Sequence, residues 1–306
     1  MATADVQRLL GAAQTLGVRW VRIGVDWTNV ESTRGTYDWT HYDQLINGAT
    51  AAGFKVLAVI HTTPAWARDR NASGSFHALP ANPNDYGRYA GAVADRYGSK
   101  VSAWEIWNEP NIIAFSQPAP SVSRYSAMLT AASRAIRAEV RGATIVTAGL
   151  APAGDDGTNI APTTFIDRLY DVGNRSMWTA VGMHPYTYPY MPDDPLSASW
   201  NAYQRMSIMH DTMRANGDGG KKIWMTEFGA PTSGTAGVSE AAQQEALRQA
   251  IDNQRSTDYL GPLFVYSLRD SGTNTADVEQ NFGLLSSDWS TKPAFATVQG
   301  LADSCG

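Results

Sequence analysis

The sequence predicts an α/β protein, a (β/α)8 TIM barrel whose first strand is missing from the N-terminus of the chain. Three observations carry this. Seven short β-rich runs alternate with amphipathic helical stretches from end to end, the rhythm of a parallel sheet. No glycine-rich dinucleotide loop follows any run, which tells against a doubly wound sheet. Polar residues fit for chemistry recur at the C-terminal ends of the runs, where barrel enzymes build their sites.

The elements follow in order. Helix-like sequence, ADVQRLLGAAQTLG, begins by about Ala4, in the place where a first strand should stand. The predicted strands are RWVRIGV (19–25), KVLAVIH (55–61), VSAWEIWN (101–108), TIVTAGL (144–150), TAVGMHPY (179–186), KIWMTEF (222–228) and PLFVYSL (262–268). Between them, Tyr86, Tyr89, Val93 and Tyr97 fall at helical spacing, as do Tyr125, Met128, Leu129, Ile136 and Val140. Ser239 is placed to cap a helix over SEAAQQEALRQAIDNQ. The turn-rich stretch 68–85 follows a strand end and is expected to form a rim loop of a cleft. No linker divides the chain, so residues 1–306 are expected to fold as one domain.

Composition narrows the function classes. A net charge of -5 excludes a basic nucleic-acid surface, and the single cysteine, Cys305, provides neither a disulfide framework nor a thiolate cluster. There is no apolar run long enough to span a membrane and no signal-peptide pattern; any export signal would have been removed upstream. The 10 tryptophans and 13 tyrosines suit buried cores, and equally the alternating apolar and hydroxylated faces of sugar rings.

Strand alternation sorts the carboxylates by face. Ala103, Glu105, Trp107 and Glu109 share one face of their run, and Ile223, Met225 and Glu227 share one of theirs. If both sets face the barrel axis, Glu109 and Glu227 converge over a single cavity at the strand tops. Glu105 then lies deeper and needs a cation, for which Arg22, on the inward set Trp20, Arg22, Gly24 and Asp26, is the candidate. Trp104 and Trp224 fall on the outward face, under helices. Two carboxylates facing each other across a dry aromatic cleft are expected to be unequally protonated. Acetal hydrolysis asks for that pairing: an acid for the departing glycosidic oxygen and a carboxylate to meet the oxocarbenium-like carbon.

At these residues the chain resembles the clan A glycoside hydrolases, most closely family 39 and next family 5. The match rests on WNEP at Glu109 and WMTEFG at Glu227, together with RIGVDWTNVE, HTTPAWA, DYGRYAGAVADRYGSKVSAWEIWNEPN, GMHPY and GLLSSDWSTKPAFA, and runs nearly end to end. The resemblance implies a retaining β-glycosidase acting by double displacement on a poly- or oligosaccharide, with Glu109 as acid/base and Glu227 as nucleophile. It further implies that Asn108 binds the sugar 2-hydroxyl, that Tyr186 orients the nucleophile, and that His184 contacts substrate or acid/base. Arg22 resembles the clan arginine beneath the nucleophile; a structural pairing with Glu105 is the alternative. Trp27, His61 and Trp66 are the candidate cleft walls, and Asp26 is a candidate substrate-binding residue. The clan usually ends its last strand with a tryptophan, whereas VYSLRDSG offers Tyr266 and Arg269 for the sugar platform.

Neither cofactor nor metal is expected, and the expected partner is carbohydrate alone, with the protein a monomer. A polysaccharide substrate implies a secreted or cell-surface setting; a cytoplasmic one stays compatible. Two rival classes remain at this stage. One is a metal-dependent barrel hydrolase using Asp26, His61, His184 and Glu227, although the histidines lack HxH or HExxH spacing. The other is a catalytically impaired carbohydrate-binding barrel, left open where the first strand is absent.

Overall fold

The computed structural model describes residues 3–72 and 74–303, so Cys305 lies outside the described residues. In chain order, α1 (Thr3–Thr15) leads into β1 (Trp20–Asp26), the single-turn α2 (Trp27–Val30) and α3 (Thr40–Ala51). Then β2 (Lys55–His61) is followed by α4 (Pro83–Tyr97), β3 (Val101–Ile106) by α5 (Val122–Glu139) and β4 (Ile145–Thr147) by α6 (Pro162–Val172). The pattern continues with β5 (Ala180–Met183) and α7 (Met206–Ala215), β6 (Lys222–Phe228) and α8 (Glu240–Ser256), and β7 (Leu260–Val265) and α9 (Pro293–Asp303).

Local chemistry sets the helix starts. Asn82 accepts the amide of Asn84 ahead of Pro83, which supplies a first-turn residue that needs no partner for its missing N–H. Ser121 and Ser239 accept the amides of Arg124 and Ala242 at the heads of α5 and α8. The seven strands are parallel and pair in sequence order from β1 to β7. This is a (β/α)8-type barrel with seven of its strands among the described residues. β1 and β7 form the two ends of the sheet and do not pair with each other.

The strands stop sooner than the sequence predicts where they approach the site. β3 ends at Ile106 rather than Asn108, because Trp107 and Glu109 take positive φ angles of 73° and 47°, in the left-handed region that side chains disfavour. β4 and β5 shrink to 145–147 and 180–183, and the backbone beyond them bonds across the loops instead: Glu109 donates its amide to Gly149, and His184 to Leu150.

Two apolar layers result. The outer layer, between sheet and helices, holds Ile60, Trp104, Trp107, Ile223 and Met225. The inner layer fills the barrel floor with Leu57, Ala103, Val146, Ala180 and Phe264, closed by Trp20 and Trp224, whose rings meet edge to face at 5.5 Å. Trp224 therefore points inward and Trp107 outward, the reverse of their predicted faces. In β6 the interior set is Trp224 and Thr226, and a register shift between Met225 and Phe228 brings Glu227 to the interior as well.

Between the two unpaired sheet edges runs a seam, an apolar cavity of ≈ 610 Å³ lined by Leu10 of α1, Val21 of β1, Ile251 of α8, Leu263 of β7 and Val298 of α9, and reaching Arg22 and Glu227 at its upper end. Elsewhere the helices pack tightly. At Gly87 a β-carbon would stand 2.9–3.0 Å from the Cβ and backbone of Ala131 on α5. Gly87→Ala is thus expected to lower stability by about 1–3 kcal/mol through overpacking, despite the better helix propensity of alanine. Urea unfolding midpoints check this; an unchanged or raised midpoint would show that α4 and α5 separate freely.

Candidate active site

The site is built on the ends of β1, β3, β5 and β6. Arg22, projecting inward from β1, is held on three sides: Nε donates to Glu105 Oε2 at 2.7 Å, Nη1 to Glu227 Oε1 at 2.5 Å and Nη2 to Asn108 Oδ1 at 2.8 Å. Glu105 is fully buried, and its other oxygen accepts from the Gly149 amide (2.8 Å) and the Thr226 hydroxyl (2.9 Å). Both oxygens thereby accept hydrogen bonds and one is paired with a cation, the condition for keeping a carboxylate inside a barrel.

The other oxygen of Glu227, Oε2, accepts from the Tyr186 hydroxyl at 2.8 Å and lies 3.5 Å from His184 Nδ1. The same ring nitrogen stands 2.8 Å from Glu109 Oε1. Among the described residues, Glu109, His184 and Glu227 are the trio able to hold a metal ion, each offering an atom within 4.8 Å of the others. The Nδ1 of His184 is already engaged with Glu109, so a metal there would have to replace that hydrogen bond. The positive φ of Glu109 turns its carboxyl over the cavity; an extended residue would continue the strand past it.

The electrostatics follow from this packing. Burial opposes ionisation of Glu227, but His184, Arg22 and the Tyr186 hydroxyl outweigh it and hold the carboxyl below its ordinary pKa. Burial likewise opposes the imidazolium of His184, yet the charges of Glu227 and Glu109 raise its pKa above the ordinary value. His184 Nε2 has no hydrogen-bond partner, its nearest carboxylate oxygen, Glu105 Oε1, being 4.0 Å away.

Above these groups opens a cavity of ≈ 770 Å³, lined on one side by His61, Asn108, Glu109 and Phe115 and on the other by Tyr186, Tyr188, Glu227, Tyr266, Glu279 and Phe282. The structure thus brings Arg22, Asn108, Glu109, Tyr186, Glu227, His61 and Tyr266 to one cleft. His184 is fully buried beneath it, and Asp26 stands behind His61, 2.6 Å from its Nε2. The metal-ligand set Asp26, His61, His184 and Glu227 does not form, since Asp26 and His61 pair with each other while His184 joins Glu109 and Glu227.

Three predicted cleft residues lie elsewhere. Trp27 is fully buried, stacked on Tyr89 with its Nε1 on Glu31. Trp66 packs edge-on against Trp27 and donates to the Glu31 carbonyl, under the guanidinium groups of Arg34 and Arg88. Both follow a strand end but turn outward, because the first helical turn or 3₁₀ turn after the strand rotates them away. Arg269 donates to the Ser287 carbonyl and covers Trp289 outside the cleft.

Sequence reasoning missed Tyr188 and Glu279. Glu279, on a short 3₁₀ turn after β7, accepts from Tyr266 at 3.2 Å. Its pKa is raised by burial, against the Tyr266 hydrogen bond, and further by the charges of Glu227 and Glu109. It sits in an irregular loop with no periodicity to reveal it. Tyr188 carries a faint signal, being two residues beyond Tyr186.

A parallel barrel with paired glutamates over an aromatic cleft at its C-terminal face defines the class of the glycoside hydrolases. The model of the family described as Cellulase (glycosyl hydrolase family 5) matches residues 3–261, and the chain belongs to that family. Solved structures with the same fold include a family 39 glycoside hydrolase from Bacteroides cellulosilyticus WH2, at 23% identity and TM-score 0.77 over 98% of this chain and 61% of that one. A monomeric beta-xylosidase from Caulobacter crescentus CB15 matches at 18% identity and TM-score 0.70, over 98% of this chain and 64% of that one. A second Caulobacter crescentus structure, a family 39 beta-xylosidase, matches at 19% identity and TM-score 0.73, over 99% and 68%. The chain therefore spans less than two thirds of the first two proteins' lengths. No curated protein matches it in sequence. No helix among the described residues is long and apolar enough to cross a membrane.

Removing Glu105 would take one of the two carboxylate partners from Arg22 and leave the Gly149 amide and Thr226 hydroxyl without their acceptor inside the barrel. Glu105→Ala is expected to destabilise the fold by about 3–5 kcal/mol, the cost of breaking a buried pair from one side. Guanidinium unfolding checks it; a loss under about 1 kcal/mol would mean that water already reaches Arg22 through the seam.

Proposed function

We propose that the protein is a retaining β-glycosidase that hydrolyses O-glycosidic bonds of a β-linked poly- or oligosaccharide by double displacement. The observation that carries this reading is the approach of Glu109 and Glu227: oxygens of the two carboxyls lie within 4.8 Å of each other. Retaining enzymes keep their carboxyl groups roughly 5–5.5 Å apart and inverting ones roughly 6.5–9.5 Å, and an approach this short between the nearer oxygens supports the closer arrangement. The family match and the β-xylosidases among the structural neighbours support the same substrate class.

In this reading Glu227 is the nucleophile. Arg22 and Tyr186 each engage one of its oxygens, which keeps it ionised and aims a lone pair into the cavity. Glu109 is the acid/base: it gives its proton to the leaving oxygen as the glycosyl–Glu227 bond forms, then removes a proton from the water that cleaves that bond. His184 fixes the Glu109 carboxyl from below through Nδ1. Asn108, its oxygen tied to Arg22, leaves its amide N–H groups to meet the sugar 2-hydroxyl.

Two experiments test these roles. Glu227→Ala is expected to abolish turnover on every glycoside, while Glu109→Ala spares aryl glycosides with activated leaving groups and is rescued by azide to a β-glycosyl azide. An active Glu227→Ala, or an α-azide, contradicts the assignment. The second is pH dependence. A depressed pKa means that Glu227 is ionised, and the enzyme active, down to pH values below the ordinary carboxylate range of about 4.3. Tyr186→Phe removes one of the groups that depress it, so the acid limb of kcat/KM is expected to move to higher pH. An acid limb that stays in place would assign it to another group.

A further inference from the structure

Three of the large apolar side chains most exposed to solvent belong to one loop, residues 187–205 between β5 and α7: Tyr190, Leu196 and Trp200, at 46%, 90% and 51% exposure. The Tyr190 and Trp200 rings meet edge to face at 4.9 Å. This loop is held by buried polar anchors. Asn201, fully buried, donates to the Met191 carbonyl and the Ser197 hydroxyl, and Gln204 donates to the carbonyls of Pro192 and Asp194. Asp193 ties the loop to Gln249 and Asn253 of α8. A loop fixed this firmly could turn its aromatics inward, so their display on the outside calls for a function.

Position and charge identify the occupant. The loop leaves the cleft at Tyr188, whose ring lines the cavity and touches Tyr186 and Phe282. Two residues further on it presents Tyr190, and Asp193 of the same loop is tied to α8. Residues 187–205 contain two aspartates and a single basic residue, Arg205, whose guanidinium donates to Thr163 of α6, so the loop offers no cluster of cations for an anionic membrane surface or a polyanion. Three side chains fall short of the roughly 800 Å² a side that a stable protein partner requires. A flat ring with a polar edge matches the C–H face and hydroxyl rim of a pyranose.

We propose that Trp200, braced edge-on by Tyr190, forms a stacking platform, outside the cleft, for a pyranose ring of a neutral β-linked polysaccharide whose scissile bond lies at Glu109 and Glu227. This rests on the glycosidase reading and deepens it: the substrate is a polymer that reaches beyond the cleft on the β5–α7 side.

The test is affinity electrophoresis in native gels containing hydroxyethylcellulose, mixed-linkage β-glucan or glucomannan, run in a Glu227→Gln background so that the polymer stays intact. At least one polymer is expected to retard the protein, and adding Trp200→Ala or Tyr190→Ala should weaken retention about fivefold or more, the loss of a stacked ring or of its brace. In the otherwise native enzyme the same two substitutions should leave kcat/KM on an aryl glycoside within about twofold, since neither ring lines the cavity. Full retention in the double variant, no retardation by any polymer, or a parallel loss of aryl-glycoside turnover overturns the proposal. So does a dimer in light scattering that the double variant dissolves, which would assign the patch to a second copy. An enzyme that cleaves aryl glycosides but binds no polymer sinks this proposal alone; one that cleaves no glycoside sinks the reading beneath it.

Discussion

The Arg22 guanidinium is the constraint on which the site depends. It is a single fixed charge inside the barrel, bonded at once to Glu105, Asn108 and Glu227. Without Glu105 the whole charge of the arginine would fall on Glu227; without Arg22, Glu105 and Glu227 would repel each other across the barrel axis. With all three present, Glu105 absorbs part of the positive charge below, and the remainder faces Glu227. The same side chain thereby stabilises the interior and helps to keep Glu227 ionised.

This network also has a mechanical role. β1 and β7 end the sheet without pairing, and the seam between them is lined mostly by apolar side chains. At its upper end the ion pair from Arg22 on β1 to Glu227 on β6 crosses the interior at 2.5 Å, joining residues 205 positions apart in the chain. Below it, Trp20, Trp224 and Phe264 make the corresponding link through ring contacts. A sheet that does not close by backbone hydrogen bonds is thus closed by side chains at two levels, one charged and one aromatic. The chemistry sits on the charged one.

Much of this was legible in the sequence, because barrels repeat. Strand runs, helix periods, the cap at Ser239, and the clustering of polar residues at strand tops are all local signals. The pairing of Arg22 with Glu105 followed from alternation in β1 and β3. Alternation failed where backbone geometry changed: positive φ at Trp107 and Glu109 reversed one set of faces, and the register shift in β6 reversed another. Glu227 reaches the interior by that shift, so its predicted position was reached from an incorrect set of neighbours. Trp27 and Trp66 were misplaced because the turn after a strand rotates side chains by amounts that residue type does not encode. Glu279 sits in a loop shaped by distant contacts, and no periodicity announces it.

The central claim is that Glu227 forms a covalent bond to the sugar. Its most direct measurement is mass spectrometry of the intact protein after incubation with an activated 2-deoxy-2-fluoro-β-glycoside, whose slow second step lets the intermediate accumulate. The account predicts a single added fluoroglycosyl group, located by peptide mapping on Glu227. Turnover of the parent glycoside without any adduct, or an adduct on another carboxylate, would contradict it.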